Sequence, residues 1–134
     1  MKTVCGLLLC LVSLAHAADG LPANASTPTA DAQRGRKLLL NRQETGCVLC
    51  HVVSGLQEGG DIGPSLVGVA QRMSPEALRQ RIADPRLSNP QTIMPAYFSS
   101  KGLHNVAKPF KGKTILTEQG LEDIMAYLLQ PPSQ

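Results

Sequence analysis

The sequence predicts an all-α domain in which three or four short helices are joined by long loops. Three segments carry apolar residues at helical spacing, and each begins with a residue that favours a helix N-terminus. The intervening segments hold many of the chain's 12 glycines and 10 prolines, which favour turns over regular structure. No segment alternates apolar and polar residues convincingly, so we expect no β-sheet.

The first 17 residues have the layout of a secretory signal peptide. Lys2 gives a basic start, residues 4–14 form an apolar run, and a small-residue ending follows at Ala17. A membrane anchor is the alternative interpretation, but this run is much shorter than the roughly 20 residues that span a bilayer. A lipoprotein start at Cys10 would need small residues in place of the three leucines before it. We therefore expect cleavage after Ala17 and export to the periplasm.

Residues 18–30 are predicted to be a flexible linker, because they are rich in alanine, proline, serine and threonine. Residues 31–134 are long enough for one domain with a core of its own. The formal net charge of +3 for the whole chain is too small to indicate nucleic acid binding. The chain has no Trp, two Phe and two Tyr, so the core is short of large side chains.

The first two helices are predicted from their starting residues. Asp31 is expected to cap a helix that carries three consecutive leucines. Ser74, followed by Pro75 at the first helical position, is expected to cap the next. Leu78 and Ile82 lie on one face of that second helix, because residues four apart are neighbours on a helix surface.

The last helix is expected to begin after Thr117 and to present an apolar stripe of Leu121, Ile124, Met125 and Leu128. Residues 52–70 and 86–114 are predicted to be loops. Loops of this length are uncommon in a compact domain unless they have a function, so we expect them to wrap around a ligand.

The sequence CVLCH, in which Cys47, Cys50 and His51 stand together, indicates the ligand. A disulfide between the two cysteines is the simplest alternative in an exported protein. A thioredoxin-like pair would need a βαβ context, which is not predicted here. Structural zinc would need four ligands, and only His104 could join these three. The pattern C-x-x-C-H is the signature of covalent c-type haem attachment, which we favour.

The chemistry of haem attachment explains this spacing. Two thiols two residues apart can each add to one haem vinyl group on a single turn of backbone. His51, which follows directly, can then coordinate the iron as the proximal ligand. The sequence therefore predicts one haem c, attached through Cys47 and Cys50.

Met94 is the predicted second ligand of the iron. Because Pro95 follows it, Met94 is steered toward extended backbone, from which a loop side chain can point inward. Met73 and Met125 are more simply explained by packing, and His104 by a solvent-facing loop. Histidine and thioether ligands suit electron transfer and close the iron to substrates.

Pro64 is predicted to support the proximal ligand. Its backbone carbonyl could accept a hydrogen bond from the ring N–H of His51 and so fix the tautomer and orientation of the imidazole. A plain turn at Gly63–Pro64 is compatible with the same role.

These residues, in this order, resemble the class I cytochrome c family. The resemblance includes Gly35 on the first helix, the CVLCH motif, the segments GPSL and MP, and Tyr127 on the last helix. In that family the first and last helices cross at a contact between a glycine and an aromatic residue, which Gly35 and Tyr127 would make here. From about Gln33 to Leu129, with NPQTIMPAY and GKTILTEQ as the most specific segments, the chain is similar to the SoxX family, the monohaem subunits of SoxAX complexes in bacterial sulfur oxidation.

This second resemblance implies a role and partners. In such complexes a SoxA-type subunit carries the catalytic cysteine, at which thiosulfate is oxidatively joined to a cysteine of the carrier protein SoxYZ. The SoxX haem takes up electrons and passes them to a small cytochrome c. The chain would then be the redox subunit of a heterodimeric L-cysteine S-thiosulfotransferase and would contain no catalytic residue of its own.

Two other functions remain open at this point. One is a free-standing periplasmic electron shuttle, which needs no permanent partner. The other is a haem-binding sensor with an open or displaceable sixth site. Lys108, Lys111 and Lys113 could steer an acidic partner to the haem edge, although a solvated face is the simpler explanation.

Overall fold

The computed structural model describes residues 29–53, 55 and 59–131. The predicted signal peptide, residues 1–17, and most of the predicted linker, residues 18–30, lie outside the described residues. Within this part of the chain all regular structure is helical and no β-strand is present, so the all-α prediction is confirmed. The α-helices are α1 (Ala32–Leu40), α2 (Cys47–Cys50), α3 (Pro75–Ala83) and α4 (Glu118–Leu128), with 3₁₀ helices at Val69–Gln71, Pro85–Leu87 and Lys108–Phe110.

The three predicted helix starts are confirmed. Asp31 caps α1, its carboxylate accepting two backbone N–H bonds from the first turn. Ser74 caps α3, with Pro75 in the first turn. Thr117 caps α4, because its hydroxyl accepts a 3.0 Å hydrogen bond from a backbone N–H group of the first turn. Each side-chain oxygen satisfies an N–H group that has no partner inside the helix, which fixes where the helix begins.

Helices α1 and α4 make the most extensive contact between helices in the described part of the chain. They cross at Gly35, where a Cβ atom would lie 1.9 Å from the backbone oxygen of Asp123 and 2.9 Å from the backbone nitrogen of Ile124. Only glycine allows such a close approach. The α4 atoms nearest to a Cβ atom at position 35 thus lie one turn before Tyr127. The resemblance suggested that Tyr127 contacts Gly35.

Asp123 binds the start of α1 to α4 through a buried carboxylate. It accepts hydrogen bonds from the backbone N–H of Asp31 at 2.7 Å, from the Arg34 guanidinium at 2.8 Å and from the Gln119 amide at 2.8 Å. These four bonds compensate the burial of the charge. Its partners are 89 residues apart, so no local pattern in the sequence predicts this ion pair.

The core lies where α1, α3 and α4 meet. The predicted apolar faces of α3 and α4 are buried in it, as expected. Its most deeply buried members include Leu39 of α1 and Leu121 and Ile124 of α4. Met125 is also buried there, in agreement with its predicted packing role.

The first long loop folds back over α2. The backbone N–H of Gly60 donates to the Val48 carbonyl at 3.0 Å, and that of Gly63 donates to the Cys50 carbonyl at 2.7 Å. These bonds hold the segment around Pro64 beside the Cys–Cys–His motif.

The second long loop is fixed to α3 and to the start of α4. The backbone N–H groups of Tyr97 and Phe98 donate to the carbonyls of Ile82 and Ala83, at 3.3 and 3.0 Å. The N–H of Leu116 donates to the Tyr97 carbonyl at 2.8 Å. The segment that carries Met94 is therefore anchored just downstream of that methionine.

No helix among the described residues is long enough and apolar enough to cross a membrane.

Candidate functional site

One cavity of about 410 Å³ collects all the site residues predicted from the sequence. Its volume lies in the range of about 300–1,000 Å³ typical of ligand sites. Cys47, Cys50, His51, Pro64 and Met94 all line it. The remaining wall is largely apolar and comes from α1, α3, α4 and both long loops, including Leu39, Ile62, Leu66, Val69, Leu78, Ile82, Ile93, Leu116, Ile124 and Leu128.

Helix α2 places the two cysteines on one turn. Gly46 precedes it with φ of 67°, a left-handed conformation that glycine adopts without strain. Cys47 and Cys50 are three residues apart, so their side chains share one face of the helix. Both are free thiols rather than a disulfide, and burial raises the pKa of the Cys47 thiol.

His51 leaves the helix with extended backbone, and its ring is held from two sides. Its Nδ1 lies 2.7 Å from the Pro64 carbonyl oxygen, the hydrogen bond that the sequence suggested. Because a carbonyl only accepts, Nδ1 carries a proton, and in the neutral ring Nε2 then keeps its lone pair. The ring also packs on Gly63, where a Cβ atom would lie 2.3 Å from Cε1. The arrangement presents Nε2 as a metal ligand of fixed orientation.

Two methionines line the cavity. Met94 is half-buried, and its backbone N–H donates to the Thr92 hydroxyl at 3.2 Å. Met73, for which the sequence suggested packing alone, also reaches the wall. Met125 does not line the cavity, and His104 is exposed outside it. Both Met94 and Met73 are therefore positioned to offer a thioether to a ligand in the cavity.

The structure gives no support to a metal site that includes His104. Among the described residues, no three His, Cys, Asp or Glu side chains are grouped as a metal ion would require. The lysines of the second loop, Lys108, Lys111 and Lys113, are exposed and do not line the cavity, as a solvated face requires.

Arg72 and Arg81 also line the cavity, whereas none of the acidic residues that the structure describes does so. The Arg72 guanidinium donates to the carbonyls of Val67 and Ser65, both at 2.6 Å. Neither arginine was predicted from the sequence. Arg81 could have been predicted, because it lies three residues after Leu78 and so shares the inward face of α3.

Tyr97 is a further lining residue that the sequence analysis did not identify. Its ring is buried, and its hydroxyl donates to the Thr45 carbonyl at 2.6 Å. Burial raises the pKa of Tyr97, so the hydroxyl keeps its proton at physiological pH.

Comparisons with known proteins match the part of the chain that forms this cavity. A family model described as cytochrome c matches residues 32–131. A chain of a solved structure, "Crystal structure of SoxXA from P. pantotrophus", superposes with a TM-score of 0.67 at 25% sequence identity. The match covers 78% of this chain and 83% of that one, so the two chains are similar in length. A search of curated proteins gave no match.

Proposed function

Because the chain belongs to the cytochrome c family, we propose that it is the electron-accepting subunit of a two-subunit complex of the SoxAX type. The family and the class I cytochrome c fold make it an electron-transfer protein that carries covalent haem c. The similarity in fold and length to a chain of the SoxXA structure supports this choice of complex.

The residues around the cavity fit a haem of this kind. Cys47 and Cys50, on one turn of helix, would form the two thioether bonds. The apolar wall suits the macrocycle, which is flat and hydrophobic. Arg72 and Arg81 supply positive charge without a competing carboxylate among the described lining residues, which suits the two haem propionates.

The proposal depends above all on one observation: an imidazole of fixed tautomer and a thioether line the same apolar cavity. His51 would be one iron ligand through Nε2, while Pro64 holds the proton on Nδ1. Met94 would supply the second ligand. When bound, the haem supplies a one-electron carrier whose reduction potential is raised by a thioether ligand. With both positions taken, the protein would transfer electrons without binding a substrate at the metal.

The partner would be a SoxA-type cytochrome that performs the chemistry. There thiosulfate would be oxidatively joined to a cysteine of a SoxYZ-type carrier protein. Apart from Cys5 and Cys10 in the predicted signal peptide, this chain has only the two cysteines assigned to the haem. Its role is to take up the electrons and pass them to a small cytochrome c, in the periplasm to which the signal peptide would direct it.

Ile62 and Ile93 form an apolar rim of the cavity at which a partner protein would make contact. Ile62 and Ile93 line the cavity, yet 64% and 80% of their surface is exposed. Exposed apolar side chains grouped at the mouth of a site favour a protein interface.

The experiment is recovery of the tagged, haem-loaded chain from thiosulfate-grown cells of its own organism, at several salt concentrations. We expect a second c-type cytochrome, which contains a catalytic cysteine, in equal amount. A haem-loaded monomer at every salt concentration would contradict the complex and favour the free-standing shuttle.

A matched pair of variants tests the rim. Ile93→Asp should weaken binding of the partner at least about tenfold, measured on protein that retains its full complement of haem. Leu87→Asp is the control, because Leu87 is 70% exposed but does not line the cavity. Equal binding by both variants would show that the rim is not the interface.

A further inference from the structure

Tyr97 connects the two sides of the cavity. Its hydroxyl donates to the Thr45 carbonyl at 2.6 Å across 52 residues of sequence, in a buried environment. Thr45 lies two residues before Cys47, and Tyr97 lies three residues after Met94. One hydrogen bond therefore joins the segment of the predicted attachment cysteines to the loop of the predicted sixth ligand.

The donor residue is held in place by its backbone. Tyr97 is 6% exposed, its N–H donates to the Ile82 carbonyl of α3, and its carbonyl accepts from Leu116 just before α4. The ring thus projects from a segment that is fixed to two helices.

The acceptor residue is held as firmly. Thr45 is also 6% exposed, and its hydroxyl lies 2.5 Å from the Leu38 carbonyl and 3.2 Å from that of Asn41. These bonds fix Thr45 to the end of α1. The hydrogen bond from Tyr97 consequently ties the downstream end of the Met94 loop to the segment that follows α1.

We infer that Tyr97 is a positioning residue whose hydrogen bond to Thr45 keeps the Met94 loop closed over the cavity, so that the thioether resists displacement by other ligands of the iron. The inference rests on the proposed function, in which Met94 is the sixth ligand. Because burial raises the pKa of Tyr97, the hydroxyl remains a donor throughout the pH range of the periplasm. Opening the loop breaks this bond and exposes a buried carbonyl, which opposes displacement of the thioether.

The test compares wild type with Tyr97→Phe, both as the full haem-loaded chain in the ferric state. The measurements are the thioether-to-iron charge-transfer absorption band and the Kd for cyanide, which competes with the thioether for the iron. We expect both proteins to show the band without cyanide. We expect Tyr97→Phe to bind cyanide about tenfold more tightly, since opening the loop then costs one buried hydrogen bond less.

Tyr127→Phe is the matched control, because it removes the same atom from α4, outside the cavity wall. It should bind cyanide as wild type does. A second variant, Thr45→Val, keeps the shape of the side chain and removes the hydroxyl that anchors the acceptor. Thr45→Val should also lower the cyanide Kd. In the double variant with Tyr97→Phe, the combined change in binding free energy should be smaller than the sum of the two single changes.

The possible results distinguish the role of Tyr97 from ligation of the iron by Met94. Absence of the charge-transfer band in wild type would overturn Met94 ligation and the role of Tyr97 with it. A band in wild type with unchanged cyanide Kd in Tyr97→Phe would overturn the role of Tyr97 alone, even if unfolding midpoints fell. If Tyr97→Phe does not retain haem, an unchanged Kd in Thr45→Val would overturn it equally.

Discussion

The arrangement around His51 shows how single residues define this site. The Pro64 carbonyl determines which ring nitrogen carries the proton, and Gly63 leaves room for the ring against the backbone. Neither residue would touch the iron. Both nevertheless set the orientation of the residue that would, which is how groups around a metal ligand tune it.

The two methionines of the cavity wall give the first prediction. Met94→Ala should abolish the thioether-to-iron charge-transfer band and lower the reduction potential, because the thioether favours ferrous iron. A hundredfold loss of that preference corresponds to about 120 mV, at 59 mV per factor of ten for one electron. Absorption spectroscopy and potentiometric titration measure both effects.

Met73→Ala is the matched control, since Met73 also lines the cavity. It should keep the band and lose only packing energy, about 2 kcal/mol. If the band disappears in Met73→Ala and persists in Met94→Ala, the assignment of the sixth ligand is reversed.

The sequence predicts those site residues that a local pattern marks. Cys47, Cys50 and His51 are adjacent in sequence, and their spacing follows from the chemistry of attachment. Arg72 and Tyr97 reach the cavity only through tertiary packing of distant segments, and no local pattern marks them. The sequence could not rank Met94 against Met73 by geometry, because both reach the cavity wall only in the folded chain.

At the level of helices, the crossing of α1 and α4 leaves no room for a side chain at position 35. A side chain at position 35 would collide with the backbone of α4, which cannot move as the end of a flexible side chain can. The buried Asp123 carboxylate fixes the same pair of helices beside this crossing.

Gly35→Ala should therefore destabilise the haem-loaded protein by about 3 kcal/mol, because the helices must separate to admit the methyl group. Denaturant unfolding measures the loss. Gly120→Ala, within α4, is the control: its Cβ would lie no closer than 3.3 Å to another atom. The helix propensity of alanine offsets that tight contact, so we expect a change within about 1 kcal/mol of wild type. Equal losses in the two variants would refute a steric origin.

The helix starts could be predicted because each is encoded by a capping residue beside the helix, as at Asp31, Ser74 and Thr117. The helix pairing could be suggested only through the family resemblance. Pairing depends on residues far apart in the chain, such as Arg34 and Asp123, whose charges look like ordinary surface charges in the sequence.

For the molecule as a whole, buried and hydrogen-bonded carboxylates set the response to acid. Hydrogen bonds from Arg34 lower the pKa of Asp123, and those from Arg86 lower the pKa of Asp84 to about 2. A carboxyl whose pKa is lower in the folded state stabilises the fold above its unfolded pKa, about 3.9. That stabilisation is lost as the pH falls through the folded value.

We therefore expect the free energy of unfolding to decline from about pH 4 toward pH 2, as followed by helical circular dichroism in denaturant at each pH. Asp123→Asn should make the decline shallower and should cost at least about 2 kcal/mol at pH 7, since it breaks a buried ion pair. Glu122→Gln, which breaks the more exposed pair with Arg79, should cost less than about 1 kcal/mol at pH 7. An unchanged acid response in Asp123→Asn would show that this carboxyl does not govern it.

The cavity wall and the hydrophobic core are made of the same side chains. Buried core residues that line the cavity include Leu39, Leu78, Ile82, Leu116, Ile124 and Leu128. The cofactor would thus be the central piece of the core, and maturation and folding would be one coupled process. A newly made polypeptide would have to acquire its porphyrin while still open, and a chain that failed to do so would lack the centre of its own core.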